Sequence, residues 1–135
     1  MNKNINLIIG SGVLGAYLAS ELLRKREEVI VSTRSIKKIM KNYHYLKIQK
    51  KVKFVKLDIN KKIEIKKTIK EFTPNKIFYF AGQSSLSKSP RKKKETFLSH
   101  LNGTKNFLQV IKEENLKIKF FKANSGYIFS PQKGL

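Results

Sequence analysis

The 135-residue sequence predicts an α/β protein, a doubly wound parallel sheet of about five strands in the order 3-2-1-4-5, incomplete at its far edge. Three observations carry that prediction. Short apolar runs alternate about five times with stretches whose apolar residues recur at helical spacing, as right-handed strand-helix-strand crossovers require. The connections between them are short. The first turn from strand to helix holds Gly10-Ser11-Gly12-Val13-Leu14-Gly15, a glycine-rich segment at the mouth of an amphipathic stretch. With 40% hydrophobic residues, residues 1–135 are expected to fold as one domain around a core.

Ile5 to Ile9 is a continuous apolar run, expected as a buried strand. Val13, Leu14, Tyr17, Leu18 and Leu22 then fall at helical spacing and predict an amphipathic helix over 13–24. Val29-Ile30-Val31 is the second strand, and a helix is expected near Ser35 to Lys41, its end and a loop filling 42–51. Val52 to Leu57 is the third strand. Asn60 reads as the N-cap of a helix in which Ile65, Ile69 and Phe72 share a face, and Thr73-Pro74-Asn75 stops it. Ile77 to Phe80 is apolar throughout, as in a strand covered on both faces. A long helix is expected from about Lys92 to Lys112, with Phe97, Leu101, Leu108 and Ile111 on one side. Ile118 to Ala123 is the fifth strand, whose exposed edge would favour association.

The formal net charge is +21, which raises nucleic-acid binding as a function, because Lys and Arg displace counterions from phosphates. The pattern argues against it. The excess is nearly all Lys, with Arg24, Arg26, Arg34 and Arg91 as the arginines, and it is scattered along the chain apart from Arg91-Lys92-Lys93-Lys94. No basic strand studded with aromatics appears. The absence of cysteine excludes disulfides, thiolate metal sites and a Cys nucleophile, and fits a cytoplasmic setting. With two histidines and no carboxylate cluster, no metal site is expected. No apolar run reaches the roughly 18 residues of a membrane span, and the first residues lead into a strand rather than a signal peptide.

A glycine loop between a strand and a helix is the place where a Rossmann fold takes a dinucleotide. Gly10 permits the tight turn, Gly12 lets the backbone approach a pyrophosphate, and Gly15 lets helix and strand pack closely. N–H groups at Val13 and Leu14 would face the phosphates. The second strand ends in Ser32-Thr33-Arg34-Ser35 with no carboxylate to hold a ribose 2′-hydroxyl. Arg34 suits a 2′-phosphate instead, so NADP is favoured as cofactor, with NAD possible.

Three further segments carry a resemblance. Ile77-Phe78-Tyr79-Phe80-Ala81-Gly82-Gln83-Ser84 resembles a fourth strand ending in Ala-Ala-Gln-Ser. Gly103-Thr104-Lys105-Asn106-Phe107-Leu108 resembles a Gly-Thr-x-x-Leu-Leu helix, and Lys119 to Phe129 a fifth strand with a Ser/Thr-bearing loop. In this order they resemble the extended short-chain dehydrogenase/reductases acting on nucleotide-sugars, the NAD(P)-dependent epimerase/dehydratase family, and within it the N-terminal part of GDP-mannose 4,6-dehydratases. The resemblance implies an adenine contact for Asp58, the chain's only aspartate, and Ile59. It puts Phe80, Ala81 and Gly82 beneath the cofactor and Gln83 and Ser84 at the substrate pocket. It makes Ser125 the catalytic serine, hydrogen-bonded to the sugar's 4-position. It also implies a nucleotide-sugar substrate and a homo-oligomeric full-length enzyme.

The departures matter as much. Ile9 stands where the family's first glycine would be, and Gly10 is shifted by one. His100 replaces an Asn or Asp. Tyr127 stands two residues after Ser125, where 4,6-dehydratases carry a Glu; with a reference pKa near 10, a tyrosine does not replace a carboxylate, and epimerase or reductase chemistry stays open. The family's catalytic Tyr-x-x-x-Lys helix would follow Leu135, and the substrate domain beyond it. Tyr43-His44-Tyr45-Leu46-Lys47 matches that spacing but lies between the second and third strands, a coincidence in a lysine-rich sequence. The expectation is therefore a truncated enzyme, inactive alone. A non-catalytic NAD(P)-binding or regulatory module is the alternative, and a basic nucleic-acid-binding protein a more distant one.

Overall fold

The computed structural model describes residues 3–36, 41–81 and 101–123. They form strands β1 (Ile5–Ile9), β2 (Glu28–Thr33), β3 (Lys53–Lys56), β4 (Lys76–Tyr79) and β5 (Lys119–Lys122). The helices are α1 (Val13–Arg24), α2 (Lys41–Tyr45), α3 (Lys62–Phe72) and α4 (Gly103–Glu113). The strands make one parallel sheet in the order β3-β2-β1-β4-β5, the order read from the sequence. β1 is central: Ile8 pairs with Val31 on one side and with Phe78 on the other.

The alternation of side chains along β1 divides the core into two layers. Leu7 and Ile9 join Ile30, Leu57, Ile77 and Tyr79 beneath α3 and α4, whose Ile65, Ile69, Phe107 and Val110 complete that layer. Ile8 faces the other way, with Val29, Val31 and Val52, against Ala16, Ala19 and Leu22 of α1 and Tyr43 of α2. Leu7, Ile8 and Ile9 are wholly buried, each worth about 1.5–3 kcal/mol relative to exposure.

Asn75 ties the sheet together at its start. Its side-chain oxygen accepts from the N–H of Ile5 at 2.8 Å, its own N–H donates to the Ile5 carbonyl at 2.8 Å, and its carbonyl accepts from Lys119 at 3.0 Å. The Thr73-Pro74-Asn75 break thus ends α3 and also aligns β1, β4 and β5. Among the described residues no helix is long and apolar enough to cross a membrane.

The structure decides which helix faces are buried and where the helices begin. The buried face of α1 is Gly15, Ala16, Ala19 and Leu22, whereas Val13, Leu14 and Tyr17 are more than half exposed. Small residues let α1 lie close on the sheet, and the bulky ones are left at its rim. In α4 the buried positions are Gly103, Phe107 and Val110, and Leu101 and Leu108 are 55% and 47% exposed. The helix docks on the side where its glycine allows approach. α3 begins at Lys62 after Lys61 as N-cap, with no side-chain capping bond; Asn60 instead closes a turn on Asp58. A helix does follow β2, but α2 lies in the stretch expected as helix end and loop; residues 37–40 of the expected one, and 92–100 of the long helix with Phe97 and His100, are outside the described residues.

Candidate functional site

Parallel strands gather their carboxyl ends along one side of the sheet. The residues that follow them, Gly10 after β1, Arg34 after β2, Asp58 after β3 and Phe80-Ala81 after β4, are therefore brought to one rim from distant parts of the chain. Chain order reverses between β1 and β4, the switch point at which open α/β sheets place their ligand sites.

The glycine loop lies at that switch point. Gly10 has φ +106°, a conformation that L side chains rarely adopt. A Cβ there would also lie 3.0 Å from the Ala81 nitrogen and 3.1 Å from the Phe80 carbonyl carbon, so Gly10 presses directly on the exit of β4. The Phe80 N–H donates to the Ile9 carbonyl at 2.8 Å, extending the β1–β4 pairing into this contact. Gly15 is required for another reason: its Cβ would stand 2.6 Å from the Gly10 carbonyl oxygen and 3.2 Å from Ile8 Cγ2. Gly12 is the N-cap of α1, is exposed, and has open space where its Cβ would be. No acidic residue occupies the first turn of α1, so the positive end of its dipole is not neutralised from within. These features fit an anion held by the loop's backbone: open space above Gly12, and N–H groups at the start of a twelve-residue helix.

At the end of β2 the Thr33 hydroxyl meets both the N–H and the carbonyl of Ser35 at 3.2 Å, a local turn that fixes the chain on either side of the exposed Arg34. At the end of β3, Asp58 Oδ1 accepts from the Asn60 N–H at 3.0 Å, and the Asp58 carbonyl accepts from Lys61 at 3.0 Å. The Asp58 N–H donates to Glu64 Oε2 at 3.0 Å, and this bond, followed by Lys61, holds the Glu64 carboxyl below its ordinary range.

Helix α4 supplies partners that sequence reasoning missed. Asn106 Nδ2 donates to the Ile59 carbonyl at 3.0 Å, and Asn102 Nδ2 to Asn60 Oδ1 at 3.4 Å. Gly103 lies between them against Ile59 and the Tyr79 hydroxyl; a Cβ there would be 2.8 Å from Ile59 Cδ1. Burial pushes the Tyr79 hydroxyl up to about 12, opposed by its hydrogen bond with Thr104. The available signal was a pair of asparagines four apart flanking a glycine, which places all three on one helix face.

Gly10, Gly12, Val13, Leu14, Gly15, Arg34, Asp58, Ile59, Phe80 and Ala81 all stand on this rim. Gly82, Gln83, Ser84 and Ser125 lie outside the described residues, as does Tyr127. Tyr43 of the Tyr-x-x-x-Lys match is wholly buried beneath α1, edge-on to Phe54 at 5.1 Å, so it has no access to the rim.

A family model described as GDP-mannose 4,6 dehydratase matches residues 7–131. The UDP-glucose 4-epimerase of Mycoplasma genitalium is 26% identical over 127 residues, which cover 93% of this chain and 36% of that protein. The CDP-paratose 2-epimerase of Salmonella typhi is 27% identical over 121 residues, covering 89% and 36%. Among solved structures, the UDP-glucose 4-epimerase of Stenotrophomonas maltophila, with bound NAD and formylated UDP-arabinopyranose, superposes with a TM-score of 0.81 at 18% identity over 98% of this chain and 40% of its own. The chain thus spans a little over a third of the length of the curated relatives it matches.

Proposed function

Because this chain belongs to the GDP-mannose 4,6 dehydratase family of NAD-dependent epimerases and dehydratases, we propose that it is the cofactor-binding portion of a nucleotide-sugar epimerase or dehydratase. The observation that carries this reading is the rim geometry at α1. Gly10 and Gly15 are glycine because the fold leaves no room for a side chain, whereas Gly12 faces open space in front of the helix.

In this reading Gly10, Gly12, Val13, Leu14 and Gly15 hold the pyrophosphate. Asp58 and Ile59 border the adenine, and Phe80, Ala81 and Gly82 form the floor. Arg34 receives a 2′-phosphate, giving preference for NADP over NAD. Gln83 and Ser84 edge the sugar pocket, and Ser125 hydrogen-bonds the sugar's 4-hydroxyl. The bound nicotinamide supplies hydride chemistry at that position. One Tyr-x-x-x-Lys match occurs in these 135 residues, and its tyrosine is in the core. In this reading these residues contribute cofactor binding.

Titration of the 135-residue chain with NADH and NADPH tests the reading. Binding of either at micromolar concentration supports it, and binding of neither overturns it. Arg34→Ala is expected to weaken NADPH about tenfold and leave NADH unchanged, the loss of one charge-assisted phosphate contact. Tighter binding of NADH by the unmodified chain would remove Arg34 from its assigned role.

A further inference from the structure

We propose that Asn106, assisted by Asn102, is a positioning residue that holds the 58–60 turn in the shape that receives the adenine end of the dinucleotide; this rests on the reading above. The turn projects from the end of β3, and its own bonds account for only part of it. Asp58 closes on Asn60 and Lys61, and Glu64 takes the Asp58 N–H. None of these bonds reaches the Ile59 carbonyl. That group is satisfied from a different element, forty-seven residues along the chain, by Asn106 at 3.0 Å. Asn102 repeats the contact one helical turn earlier on the Asn60 side chain.

The clamp needs close approach, and Gly103 provides it by letting the Ile59 side chain pack against the helix where a Cβ would stand. The position of α4 over α3 is braced at the opposite end. Lys62 meets Glu113 at 2.6 Å, and Lys66 meets Glu114 at 2.6 Å. With the helix pinned there, the two asparagines transmit its position to the turn. A turn ordered in advance avoids the entropy cost of ordering upon ligand binding. Loosening it should therefore cost affinity only for ligands that carry adenine.

The test is calorimetric titration of the 135-residue chain and its Asn106→Asp and Asn102→Ala variants with NAD, AMP and nicotinamide mononucleotide, which lacks adenine. Aspartate keeps the size of asparagine and removes the donor. Asn106→Asp is expected to weaken NAD and AMP about fivefold to tenfold, the loss of one hydrogen bond, with nicotinamide mononucleotide unaffected. Asn102→Ala, at the more exposed end, should show the same selectivity at about twofold, and it serves as the test if Asn106→Asp fails to fold. Unchanged AMP affinity in a folded variant overturns the inference, as does an equal loss for all three ligands, which would mark a general structural effect. Failure of the unmodified chain to bind any of them overturns the cofactor reading itself, and this inference with it.

Discussion

The carbonyl oxygen of Gly10 and the Cα of Gly15 face each other so closely that a methyl group on Gly15 would stand 2.6 Å from that oxygen. The contact seats the first turn of α1 on the end of β1. It separates two kinds of glycine in one loop, those the fold demands and one that leaves room.

Gly15→Ala should therefore be a stability mutant, losing about 1–3 kcal/mol through overpacking against backbone and Ile8. Gly12→Ala should change stability by less than about 0.5 kcal/mol, since its Cβ meets nothing within 4 Å and its φ of −73° is ordinary for any residue. Its effect should fall on dinucleotide affinity, by about tenfold or more, because a methyl group enters the space assigned to the pyrophosphate. Urea denaturation beside NADH titration separates the two; a Gly12→Ala variant that binds normally would show that the open space is not the phosphate site.

Tyr43→Phe should leave the protein as stable or more stable, by up to about 1 kcal/mol. The Tyr43 hydroxyl is buried with no hydrogen-bond partner among the described residues, and desolvation drives its pKa above the usual tyrosine range. Removing an unsatisfied hydroxyl while keeping the ring against Phe54 removes a penalty and little else. Dinucleotide affinity should not move. Loss of stability in a thermal melt would reveal a bond to that hydroxyl.

Glu114 gives the acid side of the stability profile. Its carboxylate receives Lys66 at 2.6 Å and Lys70 at 3.1 Å, and these two lysines hold its pKa below the ordinary 4.5. A carboxyl lowered on folding contributes stability that is present above 4.5 and lost as pH falls through its folded value. Glu64, lowered chiefly by the Asp58 N–H, acts in the same window. Melting temperature should thus drop below pH 4.5, and Glu114→Gln should flatten part of that slope while lowering the plateau near neutrality slightly. Salt should reduce the difference, since the lysines are exposed. A Glu114→Gln profile parallel to the unmodified one would remove this pair of contacts from the acid transition.

The sequence by itself determined the order of strands and helices, the strand order in the sheet and the place of the glycine loop. Each depends on local signals: apolar runs such as Ile5–Ile9, the break at Thr73-Pro74-Asn75, and glycines spaced at 10, 12 and 15. Which side of a helix faces the core was legible for α3, where Ile65 and Ile69 go in with Phe72 packed beside them, and was decided by tertiary packing for α1 and α4. In α1 the bulky Val13, Leu14 and Tyr17 stay outside while Gly15, Ala16, Ala19 and Leu22 go in, and in α4 Leu108 stays outside while Gly103, Phe107 and Val110 go in. The reason is distance: small residues let the backbone approach the sheet, and large apolar residues are buried only where they flank that contact, as Leu22 and Phe107 do. The same holds for the rim. Asp58 and Ile59 were legible at the end of a strand, but Asn102 and Asn106 became part of their surroundings only when α4 was laid beside α3. The asparagine pair around Gly103 marks one helix face, but a hydrogen bond spanning forty-seven residues carries no local sign of its partner, since its geometry comes from the packing of the two helices.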